Sequence, residues 1–574
     1  MHTAVRGGRK DALVSATVTA VVSSILLAAG PGPADAPAHL YRALLVRDGA
    51  LVWDNLWFAG QYPLASYSLL YYLPAAVVGN LPLVLGAAIA STLLFSTVAR
   101  REFGDAALWP SRAFAVLAAA PMFTGLYAYS VGFAFMLAAL AALQRGRRGT
   151  TVILAAVTLG ASPLAFGFLV LVLVSFALSR RVSPRAAAVV GIPVVALAGL
   201  QFAVTRVFRS DGMYPFHTVN LVGLLAVCTA GGLLAARTPR GRPIVLLFTL
   251  WAAGSVMLFL IPTPFGDNWT RMSAFVFPVA LLTASLARWQ PRWLSILAVS
   301  GALAYNIAPY ALLVPLRLDT RAQTETFWAP ALTFLRANRS PDYRIEIVPT
   351  ASHWESYLFP RDGYAIARGW YQQLDMTSNG VLYESGLTAA GYRRWLRGRG
   401  VRYVVLPRTR LDTVAAREGQ LLSGGASGLD LVLRAPTLDV FELRQPTPIL
   451  TGPPGARVRA LGHTRLIGSV QTPGRYLLRV RYVPYYRVRP AGCIGEAPAG
   501  LSWLVVPQAG RFVVDVPQSL GSLWHGATRD ARTCGRANEE QASTDATPRA
   551  AASATAIASE RRSPNVVISS PSSP

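Results

Sequence analysis

The feature that most constrains this chain is a series of long apolar runs almost free of charge, nearly all of them before residue 315. A helix needs about 20 apolar residues to cross the hydrocarbon core of a bilayer. Over all 574 residues, 53% are hydrophobic and only 14% are charged, which is too apolar for a soluble protein of this length. The sequence therefore predicts a polytopic α-helical membrane domain over residues 1–313.

Eleven segments of this part of the chain are candidate spans. They are residues 12–30, 81–99, 112–126, 128–143, 151–161, 164–179, 186–205, 217–236, 243–262, 272–287 and 293–313. The pairs within 112–143 and 151–179 are too short for two straight crossings each. We therefore interpret them as hairpins of short or tilted helices, broken near Gly125 and at Ser162-Pro163.

The orientation follows from the basic residues of the short loops, which accumulate on the cytoplasmic side. With the N-terminus inside, the inner set is Arg6, Arg9, Lys10, Arg100, Arg101, Arg112, Arg145, Arg147, Arg148, Arg180, Arg181, Arg185, Arg237, Arg240, Arg242, Arg288 and Arg292. The outer set is only Arg42, Arg47, Arg206, Arg209 and Arg271. This asymmetry predicts a multi-pass plasma-membrane protein with a cytoplasmic N-terminus. An odd number of spans then places everything after residue 313 on the extracytoplasmic side.

The net charge of +26 does not by itself indicate nucleic-acid binding. Many arginines lie in short loops between apolar runs, where positive charge sets topology, and Lys10 is the only lysine. A nucleic-acid surface would instead gather its basic residues on one face. We therefore expect no nucleic-acid partner, and a membrane lipid environment instead.

The outer loop at residues 31–68 is the most distinctive segment of the chain. It is much longer than a helix–helix connection requires and is rich in polar and aromatic residues. Asp35 opens it, and residues 38–46 have helical spacing with His39 and Arg42 on one face. We expect an interfacial helix that begins beside a carboxylate, for which Asp35 also suits the N-cap position. We interpret the preceding span as an uncleaved anchor rather than a signal peptide.

This loop resembles that of the C-type superfamily of integral membrane glycosyltransferases, which use polyprenyl-phosphate sugars as donors. There, an acidic residue opens the loop, an amphipathic helix follows, and the chain returns to the membrane at a Gly/Pro/Tyr-rich stretch. Asp35 matches the acidic position, and residues 53–63 and 71–74 match the return. The chain is similar, more narrowly, to bacterial membrane proteins of this type that are sometimes labelled as related to a pterin synthase. That label carries no pterin chemistry here.

The resemblance implies an inverting transferase that moves a sugar from a polyprenyl-phosphate donor to a cell-envelope glycan or lipid acceptor on the outer face. Asp35 is the candidate base for the proton of the attacking hydroxyl. Arg42, His39 and Arg271 are candidates to stabilise the departing phosphate. The alternatives are a transporter or flippase of an envelope precursor and a non-catalytic envelope assembly protein. Transport is disfavoured because the spans carry almost no ionisable residues at midplane depth.

A divalent metal is an open question at this stage. Many members of the superfamily carry an acidic pair at the first-loop position, whereas Asp35 is followed by Ala36, and residues 125–129 hold no acid. The acids left to complete a metal site are Asp48, Asp54, Asp211 and Asp267. The sequence does not select among them.

A second candidate segment is the loop at residues 262–271, which loop parity places on the same side as Asp35. It carries Asp267, Asn268 and Arg271 among turn-forming residues, so we expect these side chains to bind substrate in a shared site. The alternative is that Trp269 anchors the loop at the membrane interface and Arg271 is a topology charge.

After residue 313 the pattern changes to that of a soluble protein. Residues 314–450 alternate helical and strand patterns typical of an α/β region, and residues 451–535 hold short alternating segments that favour a small β-sandwich. Polar and aromatic clusters at 352–357 and 368–375 suit carbohydrate contact, although ordinary loop packing accounts for them equally well.

The cysteines and the tail complete the sequence predictions. Cys493 and Cys534 both fall in the C-terminal part, and outside the cytoplasm they are candidates for a disulfide. Cys228 lies in an apolar run and is expected in the core. Residues 536–574 are rich in Ala, Ser, Thr and Pro, so we expect them to be disordered.

Overall fold

The computed structural model of the chain describes residues 2–30, 32–65, 67–180, 182–208, 212–238, 240–316, 320–384, 386–519, 521 and 534. They divide into two compact units. The helical unit comprises Met1–Ala43 and Leu64–Thr320, and the mixed unit comprises Leu44–Pro63 and the chain from Arg321 onward. The expected disordered tail at 536–574 lies outside the described residues.

The chain up to Thr320 is mainly helical. Its α-helices are α1 (His2–Ala29), α2 (Ala36–Arg47), α3 (Tyr72–Val78), α4 (Asn80–Phe103), α5 (Leu108–Leu117), α6 (Pro121–Thr124), α7 (Tyr127–Gln144), α8 (Arg148–Ala161), α9 (Pro163–Ser179), α10 (Pro184–Val207), α11 (Thr218–Ala236), α12 (Arg242–Leu260), α13 (Val276–Leu286) and α14 (Arg292–Leu316). A 3₁₀ segment, Gly266–Phe275, leads into α13. A helix therefore lies at each segment for which the sequence predicts a span.

Seven helical segments of the described chain are long and apolar enough to cross a membrane. They are Lys10–Ala28, Asn80–Thr124, Tyr127–Gln144, Pro184–Val207, Thr218–Ala236, Arg242–Leu260 and Gly266–Leu286. The helices α8 and α9 are apolar but shorter. By length and composition the structure thus supports seven candidate spans in the described residues, against the eleven that the sequence predicts, and it indicates a membrane-embedded protein.

The two expected breaks in the short helical pairs are present. Gly125 separates α6 from α7 with φ +81°, a left-handed conformation that favours glycine. Ser162 ends α8 and accepts a hydrogen bond from the backbone N–H of Ala165 at the start of α9, where Pro163 occupies the first helical position. A capping serine followed by proline stops one helix and starts the next because proline has no N–H to donate backwards.

The first part of the mixed unit is an α/β arrangement. Its elements are α15 (Glu325–Ala337), β1 (Arg344–Ile347), α16 (Glu355–Arg361), α17 (Gln372–Ser378), α18 (Ala389–Arg399), β2 (Val401–Pro407), α19 (Ala416–Ser423), β3 (Asp430–Arg434) and β4 (Leu438–Glu442). The strands form one sheet in the order β1-β2-β4-β3, with β1 parallel to β2 and the other pairs antiparallel. Gly400 ends α18 at φ +72° and lets the chain turn directly into β2, as the sequence pattern predicts.

The second part of the mixed unit is built of short strands. They are β5 (Leu450–Thr451), β6 (Arg457–Leu461), β7 (Arg465–Val470), β8 (Gly474–Leu478), β9 (Arg487–Arg489), β10 (Cys493–Glu496), β11 (Ser502–Val506) and β12 (Gly510–Asp515). They form two four-stranded antiparallel sheets, in the orders β10-β11-β8-β5 and β6-β7-β12-β9. The described C-terminal region is therefore rich in β-structure.

Part of the loop at residues 31–68 folds into the mixed unit. The backbone N–H of Ile366 donates to the carbonyl of Leu56 at 2.9 Å, and that of Arg481 donates to Ala59 at 2.8 Å. The side chain of Trp57 is fully buried, and its indole N–H donates to the carbonyl of Ser356 at 2.9 Å. Residues 44–63 are therefore an integral part of the C-terminal fold, although they precede it by more than 250 positions in the sequence.

The cysteines occupy different environments. Cys493, in β10, and Cys534 form a disulfide with a Cα–Cα distance of 5.3 Å. Cys228 is a buried free thiol in α11.

Candidate active site in the helical unit

Asp35 lies directly before α2, a few residues after the end of α1. Its backbone carbonyl accepts the first helical hydrogen bond from the N–H of His39 at 3.2 Å, which is the N-cap position that the sequence predicts. The residue is half-buried and packs against the turn between α6 and α7. A β-carbon built on Gly125 would come within 2.7 Å of Asp35 Cβ, so only glycine leaves room for this carboxylate.

His39 is buried on the same turn of α2. Its Nε2 lies 2.8 Å from the carbonyl oxygen of Gly125, and its Nδ1 lies 3.0 Å from the hydroxyl of Tyr72. Because a carbonyl can only accept, Nε2 carries the proton and Nδ1 accepts from Tyr72. Burial, followed by the positive charge of Arg42, lowers the pKa of His39 to about 3. The ring is therefore neutral at physiological pH, and it ties α2 to the turn that holds Asp35.

Arg42 lies one turn further along α2 and is also buried. Its Nη1 donates to the Tyr72 hydroxyl at 3.4 Å, and its guanidinium lies 4.9 Å from the ring centroid of Tyr67. This is the geometry of a cation held over an aromatic face. These hydrogen bonds form a chain in which each group donates to the next. Arg42 donates to Tyr72, Tyr72 donates to His39, and His39 donates to the Gly125 carbonyl.

Arg271, from the last predicted outer loop, reaches the same group of side chains. Burial raises the pKa of the Tyr67 phenol; the charge of Asp35 adds to this, and the charge and hydrogen bond of Arg271 oppose it. The positive charge of Arg271 also contributes to the lowered pKa of His39. We define the Asp35 cluster as Asp35, His39, Arg42, Tyr67, Tyr72, Gly125 and Arg271. The two segments that the sequence singled out thus meet through Arg271.

The other two residues predicted from that loop are placed differently. The Asp267 carboxylate accepts hydrogen bonds from the backbone N–H of His217, at 3.0 Å, and from its imidazole. Burial raises the pKa of the Tyr214 phenol. The negative charges of Asp267 and Asp35 add to this rise, and the positive charge of Arg271 opposes it. The backbone N–H of Asn268 donates to Phe265 at 2.9 Å and shapes the 3₁₀ turn. Asp267 therefore holds its loop against His217 through these hydrogen bonds, and its negative charge acts on Tyr214 together with the charges of Asp35 and Arg271.

Trp269, considered above as an interfacial anchor, is buried in the helical core. Its ring centroid lies 5.0 Å from that of Phe168, and a β-carbon on Gly167 or Gly254 would approach its ring to 3.1 and 3.3 Å. The two glycines create the space that the indole fills. Trp269 therefore fixes the loop from which Arg271 projects.

The remaining candidate acids do not assemble a metal site around Asp35. Asp54 and Asp48 both face His463 in the mixed unit, at 3.0 Å and 3.6 Å. Asp211 lies outside the described residues. In the described chain there is no group of three or more His, Cys, Asp or Glu side chains that could hold a metal ion.

The sequence did not single out the tyrosines of this site as functional residues. The ring centroids of Tyr127, Tyr71, Tyr67 and Tyr72 lie 4.9, 5.6, 5.7 and 5.9 Å from that of His39. The paired tyrosines after the first outer loop were a signal of the chain's return to the membrane, but nothing local showed that they enclose a histidine. Only the packing of α2 against residues 67–72 and the start of α7 brings them together.

The two polar segments considered for carbohydrate contact converge inside the mixed unit. The ring of His353 stacks on Trp370 at 3.4 Å, and its Nε2 pairs with Asp412 at 3.0 Å. Arg368 is buried among Asp375, Glu418 and Glu346 at 2.7, 3.2 and 3.8 Å. The cavity that these groups line has about 20 Å³, enough for a single water molecule. It is a packed polar network and too small to receive a sugar.

The Asp35 cluster therefore combines a carboxylate with two guanidinium groups in the helical unit. A carboxylate can accept a proton from a hydroxyl, and guanidinium groups can stabilise a phosphate. The chain matches no protein-family model and no curated protein sequence.

Proposed function

We propose that this protein is a membrane glycosyltransferase that moves a sugar from a polyprenyl-phosphate donor to a cell-envelope glycan or lipid acceptor. One observation carries the proposal: a few residues beyond the end of the apolar helix α1, the charges of Asp35, Arg42 and Arg271 all act on the phenol of Tyr67. A donor held in the membrane by its prenyl chain presents its phosphate and sugar at the polar boundary of the bilayer. A carboxylate beside two cations at the end of a spanning helix suits that boundary.

The proposed reaction is a single inverting displacement. The acceptor hydroxyl oxygen attacks the anomeric carbon, and its proton passes to the Asp35 carboxylate. The bond between the anomeric carbon and the phosphate oxygen breaks, and its electron pair leaves with the lipid phosphate. Arg42 and Arg271 stabilise the negative charge that develops on that leaving group. No metal ion is required for this assignment.

In this proposal His39 is a positioning residue. Both of its ring nitrogens are engaged, with the Gly125 carbonyl and the Tyr72 hydroxyl. It therefore holds the turn that packs on Asp35 and orients the hydroxyl to which Arg42 donates. Asp267 and Asn268 shape the loop that carries Arg271, so we propose that they support substrate binding indirectly.

The folding of residues 44–63 into the mixed unit supports the proposed topology. Segments that share one fold lie on the same side of a membrane, so the proposed topology requires an even number of crossings between residues 64 and 320. The sequence predicts ten spans in this interval, and six of the seven candidate spans fall within it. With the excess of basic residues in the inner loops, we propose that the N-terminus is cytoplasmic and that Asp35 and the mixed unit are extracytoplasmic.

The test is transfer by purified protein in liposomes or detergent, with a panel of radiolabelled polyprenyl-phosphate sugars and envelope lipid or glycan acceptors. Asp35→Asn removes the base and keeps the size, so we expect transfer to fall by about 10²-fold or more. Asp11→Asn is the matched control, because Asp11 lies near the other end of α1 and pairs with Arg100. We expect this control to retain transfer.

Gly125→Ala provides a second variant that leaves every ionisable group in place. Its new methyl group would collide with Asp35 at 2.7 Å, so we expect a large loss of transfer with an unchanged elution profile. Normal transfer by Asp35→Asn would refute the assignment of the base. If the wild-type protein turned over none of the donors, the transferase proposal itself would fail, and transport or assembly would be the better account.

A further inference from the structure

The outward face of one sheet in the mixed unit carries a dense group of arginines. In the sheet β6-β7-β12-β9, alternate residues are buried, among them Val458, Leu466, Phe512 and Val514. The residues between them point outward, because side chains alternate along a strand. We define the arginine face as the six exposed arginines at these outward positions, which are Arg457, Arg459, Arg465, Arg487, Arg489 and Arg511.

The register of the sheet places these arginines in rows. In the first row, Arg457 on β6 and Arg511 on β12 lie on either side of Ser469 on β7. Neighbouring strands are about 4.8 Å apart, so the Cα atoms of the two arginines are about 10 Å apart. Arg459 donates from Nε to the Ser469 hydroxyl at 3.1 Å, so it points to the same side of the sheet.

The second row contains the one acidic side chain among the outward positions of this sheet, as far as the structure describes it. Arg465 on β7 and Arg487 on β9 lie on either side of Asp515 on β12. The Asp515 carboxylate pairs with Arg489, which also points outward from β9. One carboxylate therefore accompanies six guanidinium groups, and like charges gathered on one face repel each other.

The carboxylates at the edges of this sheet are engaged with other groups. Asp342 accepts a hydrogen bond from the backbone N–H of Val458 at 2.6 Å. In the turn between β6 and β7, His463 lies 3.6 Å from Asp48 and 3.0 Å from Asp54. Within the described part of the mixed unit, the arginine face therefore keeps a large excess of positive charge.

Arginines elsewhere in the mixed unit are matched with acids. Four of them, on or beside β2, β3 and β4, lie 2.5 to 3.8 Å from a carboxylate. The pairs are Arg402 with Glu442, Arg408 and Arg434 with Asp439, and Arg444 with Asp430. The arginine face departs from this pattern. A concentration of one charge on one surface is complementary to a partner of the opposite charge.

The size and chemistry of the face favour a linear polyanion. The four strands make the sheet about 15 Å wide, so a single phosphate contacts only part of the face. Between the arginines the outward positions hold Ala460, Ile467, Ser469 and Val513. They offer no aromatic ring on which a nucleic-acid base could stack and no large exposed apolar side chain to enter a bilayer. Arginine matches the oxygens of a phosphate in bidentate geometry.

We propose that the arginine face binds a linear, base-free polymer that carries phosphate groups along its chain. Successive phosphates contact arginines of different strands, so several modest contacts on one chain add up to the affinity. The polymer supplies the negative charge that the sheet lacks. The proposal is independent of the proposed transfer, because none of its residues belongs to the Asp35 cluster.

The test is the binding of fluorescently labelled inorganic polyphosphate to the full-length protein in a zwitterionic detergent, measured by anisotropy over a range of salt concentrations. We expect saturable binding that weakens steeply with salt, because bound counterions are released. Orthophosphate, at an equal concentration of phosphate groups, should compete at least about tenfold less well. Equal competition by orthophosphate, or tighter binding of single-stranded DNA of the same length in phosphates, would overturn the proposal.

A double variant tests the face itself. Arg457→Gln with Arg511→Gln removes two charges from the first row, and neither side chain has a partner in the described part of the chain. We expect an unchanged or slightly higher unfolding temperature, since like-charge repulsion is relieved. Polyphosphate binding should weaken at least about tenfold at low salt, and the slope of log K against log salt should fall by roughly 1–2, which corresponds to two lost contacts.

The matched control is Arg434→Gln with Arg444→Gln, which removes the same net charge from exposed positions on another sheet. We expect this control to bind polyphosphate like the wild type. An equal loss in both double variants would show that net charge, and not this face, holds the polymer. That result, or unchanged binding by the Arg457/Arg511 variant, would refute the proposal.

Arginine footprinting with phenylglyoxal distinguishes the polymer from a bilayer. With the protein in phosphatidylcholine nanodiscs, polyphosphate should protect Arg457 and Arg511 from modification. Adding phosphatidylglycerol to the nanodiscs, without polyphosphate, should leave both arginines as reactive as before. Protection by the anionic lipid alone would make the bilayer the occupant of the face and would overturn the proposal.

Discussion

Replacing Asp412 by asparagine should make the stability of the mixed unit much less dependent on pH. Burial disfavours the charged imidazole of His353, but hydrogen bonds with Asp412, at 3.0 Å, and with Glu355 raise the pKa of His353 to about 9. A pKa raised from 6.5 to about 9 corresponds to roughly 3 kcal/mol of stabilisation. This contribution is fully present below pH 6.5 and is lost as the pH rises through 9. Asparagine keeps the shape of the residue but removes the charge.

The assay is the apparent unfolding temperature of the purified full-length protein, measured between pH 6 and pH 10. For a folded unit of this size each kcal/mol shifts the midpoint by roughly 2–4 °C, so Asp412→Asn should lower it by up to roughly 6–12 °C at pH 6. The difference from the wild type should shrink towards zero near pH 10. Asp430→Asn is the control, because Asp430 forms an exposed ion pair with Arg444 and should show little effect. A difference for Asp412→Asn that is independent of pH, or that grows with rising pH, would refute this account of His353.

Two further predictions concern the way the mixed unit is held together. Trp57→Ala should destabilise the mixed unit by about 3–5 kcal/mol, because Trp57 is fully buried. Limited proteolysis should then cleave within residues 44–63. The control is Trp503→Ala, at a half-buried position, and the same cleavage pattern in both variants would contradict this prediction. Peptide mapping without reduction should recover Cys493 linked to Cys534, with Cys228 alkylated only after denaturation. Reduction should cost at most about 4 kcal/mol for a loop of 41 residues, and recovery of three free thiols from unreduced protein would exclude the bond.

Local structure was largely predictable because the signals that determine it are adjacent in sequence. The break at Gly125 needed a residue that adopts positive φ, and the one at Ser162-Pro163 needed a cap followed by a residue without an N–H. The passage from α18 through Gly400 into β2 follows the same logic. The position of Asp35 at the start of α2 was likewise predictable from capping chemistry.

The composition of the candidate site was predictable only in part. The sequence selected Asp35, His39, Arg42 and the loop of Arg271, since these are polar residues between apolar runs. It did not show that Asp267 would engage His217, that His39 would be enclosed by tyrosines, or that Trp269 would pack in the core. Periodicity reports that a residue is buried or exposed, but it does not name the partner.

By itself, the sequence determined that this chain has an apolar helical part followed by a more polar part with strand patterns, because the hydrophobic effect acts on the composition of each segment and does not depend on its partners. Only the tertiary structure decided how the loop at residues 31–68 is divided. Asp35 remains with the helices, whereas Asp54 is buried against His463, 409 residues away, within the C-terminal fold. Such a pairing depends on which surfaces meet once the chain has collapsed, and residues so distant in sequence leave no local pattern that would reveal it.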